Sequence, residues 1–160
     1  MLFRSFVIED NGYGISVGKR DSTAIERNAS RAQAYGMPGV FVPGNDPDAV
    51  FGVAREAVQR ARNAEGPTLI EIETWRLEGH FMGDAEQYRP KGEVDRLKAL
   101  DPIPAYRQRL LARGLDERDL ATCEAAVRDE VEEAFVYARA LEPPAPADAY
   151  ENVFVTGGER

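Results

Sequence analysis

The sequence predicts an α/β domain with a mostly parallel sheet and flanking helices. Three observations carry this reading. Phe6-Val7-Ile8 is a short, continuous apolar run, the pattern of a strand buried on both faces. Further strand-like runs follow at Val40-Phe41-Val42 and at residues 68–74. Segments of helical period stand between them, so the order is strand, helix, strand, helix, strand, then helices. A chain of 160 residues fits one domain and buries roughly 70% of its unfolded surface.

The first strand is expected over residues 3–9. Residues 10–22, with Gly12, Gly14 and Gly18, read as loop. Residues 23–35 can form a helix, which Gly36-Met37-Pro38-Gly39 ends. The second strand covers 40–43. Asp46 then offers an N-cap, Pro47 suits the first helical position, and Asp48 favours the helix dipole. Val50, Val53, Ala54, Ala57, Val58 and Ala61 follow on one apolar face until Gly66-Pro67 stops the helix. The third strand, 68–74, puts Glu71 and Glu73 on one side of its alternation. Residues 75–92 show no clean period and contain three glycines, which makes them a long loop. Residues 93–141 are helical, broken at Asp101-Pro102 and Pro104. Asp116 caps the last helix, whose expected buried face holds Leu120, Cys123, Val127, Val131, Ala134, Phe135 and Ala138. A short strand at 151–155 and a loose tail at 156–160 complete the expected domain of 1–155 plus tail. Three buried-type strands make a small sheet, so another chain or a further segment is expected to complete it.

Composition excludes several classes. Twenty basic residues against 28 acidic ones give a net charge of −8. That disfavours a nucleic-acid surface or binding to anionic membranes. No apolar run reaches the ~18 residues of a membrane span. The single cysteine, Cys123, rules out an internal disulfide framework and reads as a small buried apolar residue. A reducing, cytoplasmic setting is the default.

In open α/β sheets, ligands bind beyond the carboxyl ends of the strands. Two unusual segments follow such ends: Glu9-Asp10-Asn11-Gly12-Tyr13 and residues 75–89. In a parallel sheet both lie on one rim. The Asn11 side-chain oxygen and a backbone carbonyl two residues on suit Mg²⁺ or Ca²⁺. Asp-Asn-Gly is equally ordinary turn chemistry. The loop holds the only histidine, His80, together with Arg76 and Arg89, which are natural anion binders. A solvated loop histidine is the plain alternative, and Phe81 and Tyr88 could simply pin the loop.

EDNGYGIS, AYGMPGV-x-V-x-GND, EGPTLIE-x-x-TWR, GHFMGDAEQYRPK and DPI occur in this order from about Phe6 to Val155. In this the chain resembles the C-terminal half of the alpha subunit of thiamine-diphosphate-dependent 2-oxo acid and acetoin dehydrogenases. That family includes the decarboxylating components of the pyruvate and branched-chain complexes. The resemblance implies a thiamine-diphosphate-binding fold with its N-terminal part missing. It implies an oxidoreductase with thiamine diphosphate and Mg²⁺ as cofactors. The expected reaction is oxidative decarboxylation of a 2-oxo acid, or cleavage of acetoin, with acyl transfer to a lipoyl group. The implied partners are a beta subunit, in a heterotetramer of two alpha and two beta chains, and a lipoyl-bearing acyltransferase.

Site residues follow from the same resemblance. Asn11 and the Tyr13 carbonyl are implied metal ligands. Asn11, Gly12, Tyr13, Gly14, Ile15, Arg76 and His80 are implied cofactor contacts, with Trp75 standing where the family has Tyr before Arg76. His80 is the implied catalytic residue, placed near the arriving lipoyl group. Tyr88 and Arg89 match the pair that orders the active-site loop. Phe81 follows His80 where the mitochondrial pyruvate enzymes carry a phosphorylated Ser, so that switch is not expected. The Gly-His-Phe-x-Gly-Asp-Ala form is most similar to acetoin-type subunits, with pyruvate and branched-chain types left open. Only ten residues precede Asn11 and none forms the family's Gly-Asp-Gly, so a fragment or a late-starting reading frame is expected, inactive by itself. The rival expectation is an inert truncated domain that only packs against a partner subunit.

Overall fold

A computed structural model describes residues 4–151. The expected terminal strand at 151–155 and the tail fall almost wholly outside those residues. The chain divides into two compact units, one ending at Arg113 and one beginning at Gly114.

In the first unit, β1 (Ser5–Asp10), β4 (Gly39–Val42) and β5 (Thr68–Glu73) form a parallel sheet in the order β1-β5-β4. The expected α/β class with a parallel sheet and flanking helices is what the chain adopts. β5 is central and buried because Leu69 and Ile70 point to opposite faces, each with its own core. On one face Leu69 packs with Ala29 and Ala32, joined by Ile8, Met37 and Phe41. On the other, Ile70 packs with Val42 and Ala57, joined by Val50, Val53 and Ile72. Of these, Val50, Val53 and Ala57 come from α2 (Pro47–Arg62), whose Asp46 cap accepts the Asp48 amide at 3.0 Å.

Several expectations are corrected. β1 is an edge strand, not one buried on both faces: Phe6 and Val7 are 43% and 55% exposed. Among the described residues it has a strand neighbour on one side only. The stretch 10–22 is not plain loop. It holds a small antiparallel hairpin, β2 (Tyr13–Gly14) and β3 (Val17–Gly18), followed by the helical turn α1 (Lys19–Ser22). The helix expected over 23–35 is a 3₁₀ segment limited to Asn28–Tyr35, closed by Gly36 in the left-handed region. Its first turn is held from outside, because the Ala29 amide donates to the Glu71 carboxylate at 2.7 Å.

Residues 75–92 form no helix or strand. α3 (Glu93–Lys98) and α4 (Pro102–Ala112) follow. Pro102 and Pro104 both sit in the first turn of α4, where a missing amide costs little. Tyr106 and Arg109 of α4 bond the acidic N-terminus of α2, at 2.8 Å to Asp48 and 2.8 Å to Asp46.

The second unit is dominated by α5 (Glu117–Ala140), capped by Asp116, which accepts the Arg118 amide at 2.7 Å. Its apolar face is not buried as expected: Val127, Val131 and Phe135 are exposed, and so is Cys123. A single amphipathic helix has no second apolar surface of its own to cover that stripe. Among the described residues no helix is long and apolar enough to cross a membrane.

Candidate functional site at the carboxyl rim of the sheet

β1 and β5 end level, with Asp10 opposite Glu73, and the Thr74 amide continues the ladder to the Asp10 carbonyl at 2.9 Å. This register brings the corner at Asn11 beside the start of the loop at Trp75-Arg76. Both segments border a cleft of about 600 Å³, lined by Asp10, Asn11, Gly12, Lys19, Thr74 and Trp75 among others.

The corner is tightly made. Asp10 accepts the Gly12 amide at 3.1 Å, and Asn11 Oδ1 accepts the Tyr13 amide at 3.0 Å. Gly12 has φ +81, a conformation that favours glycine. The Lys19 amide donates to the Gly12 carbonyl at 2.8 Å. Lys19 Nζ bonds Asp10 Oδ2 and also Glu71 Oε1, the latter at 3.0 Å. Glu71 is wholly buried, so this ammonium supplies the counter-charge that a buried carboxylate requires. Burial alone would raise the Asp10 carboxyl, but Lys19 and the Gly12 amide outweigh it and lower its pKa.

The hairpin turn carries Ile15 at φ 59, a strained conformation for a β-branched residue. Its carbonyl accepts Arg76 Nη2 at 2.9 Å. The same Nη2 donates to Tyr88 Oη at 2.5 Å, and Tyr88 Oη donates to Asp84 at 2.6 Å. Asp84 also accepts the His80 amide at 2.8 Å and the Glu86 amide at 2.9 Å. The Tyr88 bond leads in lowering the Asp84 carboxyl to about 2. Arg89 has a side chain only 2% exposed. It donates to Glu93 at 2.9 Å, to Glu86 at 3.1 Å and to the Arg76 carbonyl at 2.8 Å. The Tyr13 and Tyr88 rings meet edge-on at 5.7 Å, and the Arg76 guanidinium lies 5.4 Å from the Tyr13 ring.

Of the predicted site residues, the structure therefore gathers Tyr13, Ile15, Arg76, Tyr88 and Arg89 into one contact network, with Asn11 and Gly12 in the adjoining corner and Gly14 in β2. His80 is not gathered into it by its side chain. His80 is exposed, and its ring meets that of Phe81 edge-on, centroids 6.5 Å apart. Lys19, Glu71, Asp84 and Glu93 were absent from the expected set. Glu93 stands four residues after Arg89, a spacing that pairs charges on a helical turn. Asp84 is close to His80 in sequence. Lys19 and Glu71 lie 52 residues apart and give no local signal.

The fit to a diphosphate and a metal differs. Arg76 Nε is buried without a hydrogen-bond partner. An anion at the rim would satisfy it, so this side chain fits a phosphate group. The metal is only partly provided for. Asn11 Oδ1 keeps one lone pair after accepting from Tyr13. Among the described residues no group of three or more His, Cys, Asp or Glu could hold a metal ion. Neutral oxygens at Asn11 and Tyr13 suit part of an octahedral Mg²⁺ shell and cannot complete one.

Fold and rim together define an open-sheet α/β protein with a loop-borne arginine, its Nε buried and unpaired, near the carboxyl ends of its strands. Comparison with known families takes this further: the model described as "Dehydrogenase E1 component" matches residues 5–147, and the chain belongs to that family. The resemblance read from the sequence motifs is thus borne out. The chain is 40% identical over 152 residues to the alpha subunit of acetoin:2,6-dichlorophenolindophenol oxidoreductase of Bacillus subtilis (strain 168), covering 94% of this chain and 45% of that protein. It is 39% identical over 150 residues to the chloroplastic pyruvate dehydrogenase E1 component subunit alpha-3 of Oryza sativa subsp. japonica, covering 93% and 35%. It is 46% identical over 111 residues to the alpha subunit of 3-methyl-2-oxobutanoate dehydrogenase of Mycobacterium tuberculosis (strain CDC 1551 / Oshkosh), covering 69% and 30%. The chain spans less than half the length of these relatives.

Proposed function

We propose that this chain forms part of the alpha subunit of a thiamine-diphosphate-dependent dehydrogenase acting on a 2-oxo acid or acetoin. The observation that carries the proposal is the buried, unpartnered Arg76 Nε at the rim, within a chain of the E1 family. The relatives' names include acetoin, pyruvate and 3-methyl-2-oxobutanoate, which supports that substrate range.

Thiamine diphosphate, when bound, supplies the nucleophilic carbon and electron sink for cleaving the bond beside a carbonyl. Arg76 holds the diphosphate, steadied by Ile15 and Tyr88. Gly12, Gly14 and the Ile15 backbone allow close approach to the cofactor. Asn11 and the Tyr13 carbonyl donate two oxygens to Mg²⁺, and the anionic ligands come from outside this chain. Tyr88 and Arg89 order the loop, and Asp84 fixes the backbone at His80 through the His80 amide. His80, exposed beside Phe81, is placed to meet the lipoyl group of an acyltransferase. A beta subunit completes the site in a heterotetramer. The single cysteine supports a reducing compartment such as the cytoplasm.

The test separates binding from transfer. In the chain assembled with its beta subunit, Asn11→Ala weakens Mg²⁺-dependent thiamine diphosphate binding about 10-fold or more. His80→Ala keeps that affinity and slows acyl transfer to a lipoyl acceptor, by about 10²-fold. Unchanged affinity in Asn11→Ala removes its ligand role. No binding by the unmodified assembly would leave only an inert packing role for the chain.

A further inference from the structure

Glu93, the first residue of α3, joins the two segments of the rim. Tyr13 Oη donates to both of its carboxylate oxygens at 3.0 Å across 80 residues of chain. Arg89 Nε donates to Oε2 at 2.9 Å. The Glu93 and Arg89 side chains are only 18% and 2% exposed, so this joint is shielded from water. Charge-assisted bonds of this kind are roughly twice as strong as neutral ones, and less screened away from solvent. The other polar joint between hairpin and loop, Arg76 to the Ile15 carbonyl, ends on a neutral backbone acceptor.

Arg89 would survive the loss of Glu93, since it keeps Glu86 and the Arg76 carbonyl. The Tyr13 hydroxyl would lose its bond, because it donates to Glu93. The carboxylate therefore matters less for the loop's internal order than for tying that loop to the Tyr13 corner. We propose that Glu93 is a positioning residue that latches loop 75–92 onto the corner at Tyr13, making ligand capture at the rim depend on a carboxylate that touches no ligand. The identity of that ligand, thiamine diphosphate, rests on the functional reading above, whereas the latch itself does not.

The test uses the full chain and two readouts. Hydrogen exchange of residues 75–92 is measured without ligand in Tyr13→Phe, Glu93→Gln and the double variant. Tyr13→Phe removes one oxygen and keeps the ring packed on Tyr88. Each single change should quicken loop exchange about 5- to 30-fold while β5 stays as protected as before. The double variant should go little beyond either single one, because both break the same joint. The second readout is thiamine diphosphate affinity with Mg²⁺ and the beta subunit present, which should fall in step. Unchanged loop exchange in both single variants, or effects that add in the double one, would overturn the latch. If Glu93→Gln does not fold, Tyr13→Phe alone decides. An unmodified assembly that binds no thiamine diphosphate overturns the functional reading, and loop exchange still judges Glu93.

Discussion

Asp84 gathers three donors: Tyr88 Oη at 2.6 Å, the His80 amide at 2.8 Å and the Glu86 amide at 2.9 Å. All three favour the charged carboxylate, which is why its pKa falls from an ordinary 3.8 to about 2. Because the folded value is the lower one, the stabilisation is complete above about pH 3.8 and is lost as pH falls through about 2. A carboxyl-carbon NMR titration should place the Asp84 midpoint near 2, with the loop loosening in the same window. A midpoint near 3.8 would remove this anchor. Sequence reasoning reached Tyr88 and Arg89 but not Asp84 or Glu93. A motif identifies the cations and rings that face a ligand, while the carboxylates holding them are ordinary surface residues until the chain folds back on itself.

Strand β4 meets the 3₁₀ segment almost backbone to backbone at Gly39. A Cβ there would lie 2.0 Å from the Ala29 carbonyl oxygen, which belongs to rigid main chain. Gly39→Ala should therefore destabilise the chain by about 1–3 kcal/mol, seen as a lower urea midpoint at unchanged slope. An unchanged midpoint would mean that the 3₁₀ segment can shift freely. At this scale the strands around 6–8, 40–42 and 68–73 and the Asp46 cap of α2 were legible. Their signals are local: apolar runs and a cap followed by proline. The hairpin at 13–18 was not, since two-residue strands are too short to show a period and Ile15 is an unusual residue for a left-handed turn. The 3₁₀ segment was over-read as a helix because its first turn is fixed by Glu71, 42 residues away.

For the whole molecule, family membership was legible because several motifs keep their order along nearly the entire chain. The extent of burial was not. Amphipathic pattern predicts a face that wants covering, and β1 and α5 each keep part of that face exposed here. A chain spanning less than half of its relatives supplies one arginine, one histidine and neutral oxygens to the proposed site, with no complete metal shell among the described residues. The central claim is that the rim at Arg76 binds the diphosphate of thiamine diphosphate. Calorimetric titration of thiamine diphosphate with Mg²⁺, into the chain assembled with its beta subunit and into its Arg76→Met variant, tests this directly. The account predicts Mg²⁺-dependent binding that Arg76→Met weakens about 10-fold or more. Equal affinity in the two proteins, or no binding in either, would contradict it.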